Sequence, residues 1–124
     1  MIVAGVGFSS RCAPEELAQL VRRAQAAADL VPTGLAAPAW KARSPCLQRA
    51  AQLLGLPILP IDRDQLAGVV DRVVSHSAAS HAVAGVGSAA EAAALAAAGP
   101  RARLALPRIA SAYATCALAE GEPA

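Results

Sequence analysis

Aromatic side chains are scarce in this chain. They make up 2% of the 124 residues, with one Phe, one Tyr and one Trp. Proteins that bind single-stranded nucleic acid stack the bases on aromatic rings inside a basic groove, and duplex-binding proteins carry a basic patch or stripe. The net charge is only +2 and the arginines are scattered along the sequence. We therefore expect no nucleic-acid partner.

The cysteine and histidine patterns typical of metal sites are missing as well. Cys12, Cys46 and Cys116 form no CxxC pair, so their spacing predicts neither a zinc site nor a disulfide framework. His76 and His81 lack the i, i+4 spacing of a helical metal site and have no obvious third ligand. We expect no metal and no cofactor. Cys12 precedes a predicted helix whose N-terminus would lower the thiol pKa, but we expect a buried structural thiol at this position.

Long apolar runs are also absent. The run over residues 89–99 is too short to span a membrane, and Glu91 interrupts it. The N-terminus lacks the charged region and the long apolar core of a signal peptide. These features predict a soluble, cytoplasmic protein.

Small apolar residues dominate what is present. Hydrophobic residues make up 56% of the chain, and most are Ala, Val or Leu. Short apolar runs alternate with stretches of helical periodicity, which predicts an α/β fold: a three-layer α/β/α sandwich with a mostly parallel sheet of about five to six strands. We expect one domain over 1–119 and a flexible tail over 120–124. The predicted strands cover 1–6, 34–37, 56–61, 81–86, 103–106 and 115–119, with a hairpin or loose connection at 111–113, and the predicted helices cover 13–28, 45–54, 64–74 and 88–98.

Two glycine pairs follow predicted strands. Gly5 and Gly7 end the first strand, while Gly85 and Gly87 lead into a helix that Ser88 caps. Glycine lets a ligand approach the backbone, and helix N-termini attract anions. Both loops are therefore candidate anion sites at the carboxyl edge of the sheet. Simple turn geometry is the alternative, because neither loop has the full GxGxxG pattern.

Glu91 is the candidate catalytic residue. It stands three residues after Ser88, which is the spacing of a capping box. Its carboxylate is therefore either a general base, a group that orients a ligand, or part of the helix cap.

Cations and hydroxyls near the same edge are candidate ligand-binding groups. Lys41 is the only lysine, and Arg11 and Arg108 carry guanidinium groups suited to carboxylates. Ser9 and Ser10 follow the first strand and have hydroxyls that can donate hydrogen bonds. For each of them, an ordinary solvated or capping role is the alternative.

Five segments, in this order and spacing, resemble the CobE / CbiG C-terminal family of cobalamin biosynthesis. The resemblance covers nearly the whole chain. The segments are GVGFSSR at 5–11, WKARSPCL at 40–47, GLPI at 55–58, GVGSAAEAAAL at 85–95 and ATCALA at 114–119.

The resemblance implies a role in cobalamin biosynthesis. A standalone domain of this family is expected to bind a precorrin or hydrogenobyrinic acid-type tetrapyrrole of the aerobic route, using the glycine loops with Lys41, Arg11 or Arg108. One alternative is hydrolysis of a precorrin-5A-type lactone with Glu91 as general base, as in CbiG proteins, which carry further domains. Another is a non-catalytic accessory that docks onto other cobalamin-pathway enzymes.

Overall fold

A single five-stranded sheet runs through the part of the chain that the computed structural model describes, residues 1–69 and 89–121. Its strands are β1 (Ile2–Phe8), β2 (Gly34–Pro38), β3 (Ile58–Ile61), β4 (Arg103–Ala110) and β5 (Ala114–Glu120). They lie in the order β3-β2-β1-β5-β4.

The sheet is mixed rather than mostly parallel. The pairs β1–β2 and β2–β3 are parallel, whereas β1–β5 and β4–β5 are antiparallel. The reason is the short turn at residues 111–113, which folds β5 back against β4 as a hairpin. The α/β class and a sheet of five strands are confirmed; half of the described pairings depart from the parallel arrangement.

Local signals in the sequence explain the helix boundaries. The helices α1 and α2 each begin with a proline at the first turn, where the missing N–H is not needed. Gly55 ends α2 with a φ of 68°. Asp62 and Gln65 form a capping box at the start of α3. The described helices are α1 (Pro14–Ala28), α2 (Pro45–Leu54), α3 (Arg63–Ala67) and α4 (Ala89–Ala98).

Two sequence predictions concern the segment before α4. The helix predicted over 64–74 ends at Ala67, and residues 70–74 lie outside the described residues. The strand predicted over 81–86 and the loop before it also lie outside them.

Helices pack against both faces of the sheet. Side chains alternate along β1, so that Val3 belongs to one buried cluster while Ala4 and Val6 belong to the other. We call the side covered by α1 and α2 the leucine face, because its core is built on Leu17, Leu20, Leu35, Leu47 and Leu118. We call the side covered by α3 and α4 the alanine face, after Ala36, Ala92, Ala93, Ala94, Ala98 and Ala119. The complete three-layer sandwich stays a prediction.

On the alanine face, α4 lies directly on the backbone of the sheet. A Cβ at Gly5 would stand 2.0 Å from the carbonyl oxygen of Ala90, and one at Gly121 would stand 2.0 Å from that of Ala98. Only glycine permits so close an approach. Since Gly121 bonds to the start of β1 at Met1, α4 runs antiparallel to β1, and Ala89 lies near the carboxyl end of β1.

The two ends of the described chain are joined. The Met1 ammonium donates to the Gly121 carbonyl over 2.7 Å, and Glu120 is the last residue of β5. Glu120 is therefore part of the sheet rather than of a flexible tail, and residues 122–124 lie outside the described part.

No helix in the described ranges is both long and apolar enough to cross a membrane. The cytoplasmic location stays a prediction.

Candidate functional site

A cavity of about 430 Å³ opens at the carboxyl end of β1. This is the edge at which α/β sheets usually bind ligands. Four elements meet there: the end of β1, the turn after β2, the start of α4 and the tip of the β4–β5 hairpin. The lining residues are Gly7, Phe8, Ser9, Pro38, Trp40, Lys41, Ala89, Ala110, Ser111, Ala112, Tyr113, Ala114 and Thr115.

Lys41 is the cation of this cavity. A short 3-10 turn over Ala39–Lys41 directly after β2 brings it there. Its Nζ donates to the backbone carbonyl of Phe8 and lies 4.8 Å from the centre of the Phe8 ring. Burial lowers the pKa of the Lys41 ammonium, because a charged group in a less polar site loses hydration. An anion beside it would recover that lost solvation.

Two of the three aromatic rings in the chain form the exposed rim. Trp40 and Tyr113 are each 40% exposed although both are large apolar side chains. The Arg63 guanidinium carbon lies 4.3 Å from the centre of the Trp40 ring, a cation–π contact. A wide, flat, apolar ligand can therefore contact aromatic surface at the mouth of the cavity.

The hairpin tip is bonded on two sides. The backbone N–H of Ser9 donates to the carbonyl of Tyr113 over 2.9 Å. On the other side, the Glu16 carboxylate accepts from the Ser111 hydroxyl and from the backbone N–H of Tyr113. These bonds place Ser111 and Tyr113 in the wall of the cavity.

The structure brings three of the predicted binding residues together in the cavity wall: Gly7, Ser9 and Lys41. The Ser9 hydroxyl accepts from the backbone N–H of Arg11 over 3.3 Å, which leaves its own proton available to a ligand. A Cβ at Gly7 would stand 2.8 Å from the Thr115 hydroxyl. At Gly7, glycine therefore serves close strand packing, and the residue also forms part of the cavity wall.

The other predicted binding residues lie elsewhere. Gly5 is buried under α4 and does not line the cavity. Ser10 and Arg11 are exposed, whereas Arg108 on β4 is half-buried. None of the three lines the cavity. Gly85, Gly87 and Ser88 lie outside the described residues.

Glu91 is a buried residue that joins two elements. Its exposure is 0%, and its Oε2 accepts from the backbone N–H of Arg108 over 2.9 Å. This bond satisfies an amide in the irregular part of β4, where the register shifts between Leu106 and Ile109. Glu91 does not line the cavity, so its surroundings favour a structural role over that of a general base.

Cys12 and Cys116 are buried thiols, and Cys46 is half-buried. Desolvation by burial, followed by the neighbouring Cys46 and Glu16, raises the pKa of Cys12 to about 12. Burial alone raises that of Cys116 to about 12, and burial is also the main reason that the pKa of Cys46 is raised. The burial expected for Cys12 is confirmed, and the helix N-terminus does not hold the pKa of its thiol low.

No cluster of metal-ligating side chains occurs among residues 1–69 and 89–121. His76 and His81 lie outside those ranges, so the expectation of no metal stays a prediction.

Sequence reasoning missed the aromatic rim and the hairpin wall. Trp40, Ser111, Tyr113 and Thr115 line the cavity but were not predicted as binding residues. One signal in the sequence could have indicated the rim. The chain has only three aromatic residues, and its single Trp directly precedes its only lysine.

Known proteins share this sequence pattern and fold. Residues 2–119 match the family model for the cobalamin synthesis G C-terminus. The chain is 36% identical over 121 residues to protein CobE of Sinorhizobium sp, and the match covers 95% of this chain and 79% of that protein.

Two crystal structures are similar. One is of CobE, a protein from the cobalamin (vitamin B12) biosynthetic pathway, with a TM-score of 0.89, 32% identity and coverage of 96% of this chain and 89% of that one. The other is of cobalamin biosynthesis protein chiG from Agrobacterium tumefaciens str. C58, with a TM-score of 0.81, 32% identity and coverage of 99% and 100%.

Proposed function

We propose that this chain, which belongs to the cobalamin synthesis G C-terminus family and so to the cobalamin biosynthesis pathway, binds an acidic tetrapyrrole intermediate in the cavity at the end of β1. Such intermediates combine a wide conjugated macrocycle with acetate and propionate arms. The observation that carries the proposal is the partly buried Lys41 ammonium beside the aromatic rim of Trp40 and Tyr113.

Each part of the cavity matches one part of this ligand class. A carboxylate arm fits beside Lys41, where partial burial strengthens the attraction between opposite charges. The Ser9 hydroxyl lines the same cavity and can donate a hydrogen bond to the arm. The macrocycle fits against Trp40 and Tyr113, whose exposed rings offer apolar surface.

Binding explains the observations better than catalysis does. Hydrolysis of a precorrin lactone would require a base at the cavity, and Glu91 is buried and bonded to the backbone of β4. Docking onto another enzyme of the pathway is compatible with ligand binding, since a bound intermediate has to be handed on. We therefore propose a binding protein that presents the intermediate to pathway enzymes.

Trp40 provides a direct test because it is the only tryptophan in the chain and lies at the rim. Titration with hydrogenobyrinic acid is expected to quench its fluorescence and to shift the pigment absorption, with a dissociation constant of about 10 µM or lower. The absence of quenching, of a spectral shift and of co-elution with the pigment would refute the proposal.

The role of Lys41 is tested with a matched pair of variants. Lys41→Gln removes the cation in the cavity and is expected to weaken binding by about tenfold or more. Arg43→Gln removes an exposed cation two residues away that does not line the cavity, and it should bind as the unmodified protein does. Equal affinity of the two variants would exclude Lys41 as the anchor.

The two alternative functions give different results. Lactone hydrolysis would add one molecule of water to a precorrin-5A-type substrate, which mass spectrometry detects, and Glu91→Gln would abolish it if Glu91 is the base. A purely docking protein would capture pathway enzymes without the pigment and leave Trp40 fluorescence unquenched.

A further inference from the structure

One carboxylate fastens the tip of the β4–β5 hairpin from outside the cavity. Glu16 lies in the first turn of α1. Its Oε2 accepts from the Ser111 hydroxyl over 2.5 Å and from the backbone N–H of Tyr113 over 2.8 Å. Hydrogen bonds to an ionised acceptor are stronger than neutral ones, and a carboxylate is favoured at the start of a helix. Glu16 therefore ties the hairpin firmly to α1.

The residues that Glu16 holds form a wall of the cavity, whereas Glu16 itself does not line it. Ser111, Ala112 and Tyr113 are all lining residues. The peptide groups of Tyr113 are bonded in two directions, since its N–H donates to Glu16 and its carbonyl accepts from Ser9. These two bonds fix the backbone from which the Tyr113 side chain reaches the rim of the cavity.

We propose that Glu16 is a positioning residue, which holds the hairpin wall of the cavity in its ligand-ready place. A wall that is ordered before the ligand arrives loses little conformational entropy on binding, so the affinity rises. The identity of the ligand rests on the proposed function. The restraint of the hairpin by Glu16 does not.

The test compares three substitutions in one turn of α1. Glu16→Ala removes both bonds, and Glu16→Gln keeps an oxygen that can accept them. Glu15→Ala removes the same charge from the exposed neighbouring residue. Backbone hydrogen exchange at Tyr113 and fluorescence titration with hydrogenobyrinic acid are measured on each full-length protein at a temperature where all are folded.

Glu16→Ala is expected to speed exchange of the Tyr113 amide and to weaken binding by about tenfold, while Glu16→Gln largely restores both values and Glu15→Ala changes neither. Unchanged exchange in Glu16→Ala overturns the restraint. Faster exchange with unchanged affinity overturns the positioning role, because the carboxylate would then be structural only.

Two further outcomes can be distinguished: a Glu16→Ala protein that does not fold, and an unmodified protein that does not bind the pigment. If Glu16→Ala fails to fold, Ser111→Ala removes one of the two bonds without altering α1, and an intermediate loss of affinity is expected; unchanged affinity opposes the proposal. If the unmodified protein does not bind hydrogenobyrinic acid, the proposed function fails, and exchange at Tyr113 still decides whether Glu16 restrains the hairpin.

Discussion

The two faces of the sheet are packed by different means. On the leucine face, large side chains from α1 and α2 fill the space above the strands. On the alanine face, α4 lies so close that its backbone touches glycine positions in β1 and near the end of β5. The leucine face can adjust by moving side chains. The alanine face instead requires that Gly5 and Gly121 carry no Cβ atom.

This difference bears on the site. Because α4 is pressed onto β1 at Gly5, Ala89 is held near the carboxyl end of β1, where it and Gly7 both line the cavity. The wall on the alanine face is thus set by backbone contact. The opposite wall, made by the hairpin tip, is set by hydrogen bonds to Glu16 and Ser9. The rigid wall is expected to tolerate substitution less well than the bonded one.

The largest effect is expected on the alanine face. Gly5→Ala would place a Cβ 2.0 Å from the Ala90 carbonyl oxygen, so α4 would have to move, and we expect a loss of about 4 kcal/mol in the free energy of unfolding. Gly68→Ala is the matched control, since its nearest atom would be 3.5 Å away; it should change stability by less than about 1 kcal/mol. Urea unfolding measures both. Equal stability of the two variants would contradict the backbone contact.

The next effect is expected on the leucine face. Leu118→Ala removes a fully buried side chain and should lower the free energy of unfolding by about 3 kcal/mol through lost burial and a residual cavity. Leu56→Ala, at a half-buried leucine on the edge of the same cluster, should have less than half that effect. If the loss at Leu118 exceeded that at Gly5, the contrast between the two faces would be reversed.

A smaller effect is expected where α4 meets β4. Glu91→Ala removes the acceptor of the Arg108 amide and should cost about 2 kcal/mol, because a part-buried N–H is left without that partner. Glu91→Gln keeps an acceptor oxygen and should cost less. Glu120→Ala removes an exposed carboxylate, 3.6 Å from Arg103, and should cost less than about 1 kcal/mol. Thermal unfolding would show the order, and a Glu91→Ala protein of full stability would exclude the structural role.

Sequence reasoning succeeded where the signal is local. Pro14, Pro45 and Gly55 mark helix ends through their own backbone constraints, and Asp62 caps α3 with its own side chain. A hairpin at 111–113 was one of the two predicted connections, but the pairing of β5 with β1 was not predictable in this way. An apolar run does not reveal which strand it will pair with, and the pairing of β5 with β1 is decided by tertiary packing.

The same limit applies to the site. Gly7, Ser9 and Lys41 were predicted because they follow strands in the sequence. Ser111 and Tyr113 were missed because they reach the cavity only when the hairpin folds back over β1. Arg108 was expected to bind a ligand through its side chain. In the structure its backbone amide donates a hydrogen bond to Glu91, which was itself a candidate site residue. Whether a residue lines a cavity depends on long-range packing that spacing does not encode.

Alkaline pH should separate the two faces through a loss of stability that is shared between two buried thiols of the leucine face. Cys12 and Cys116 both belong to the leucine face, and burial raises the pKa of each to about 12. Their thiols lose protons near pH 9 in the unfolded chain but stay protonated in the folded one. Their contribution to stability is therefore complete below pH 9 and declines as the pH rises from 9 to 12, by about 1 kcal/mol per thiol at pH 10.

Urea unfolding at pH 8 and pH 10 measures this loss. Cys116→Ala keeps a small apolar residue at the position and should show a smaller pH-dependent decrease, since only the contributions of Cys12 and Cys46 remain. Gly68→Ala retains all three thiols and should show the whole of it. If Cys116→Ala and the unmodified protein lost equal stability at pH 10, the buried thiol of the leucine face would not be the source of the alkaline sensitivity.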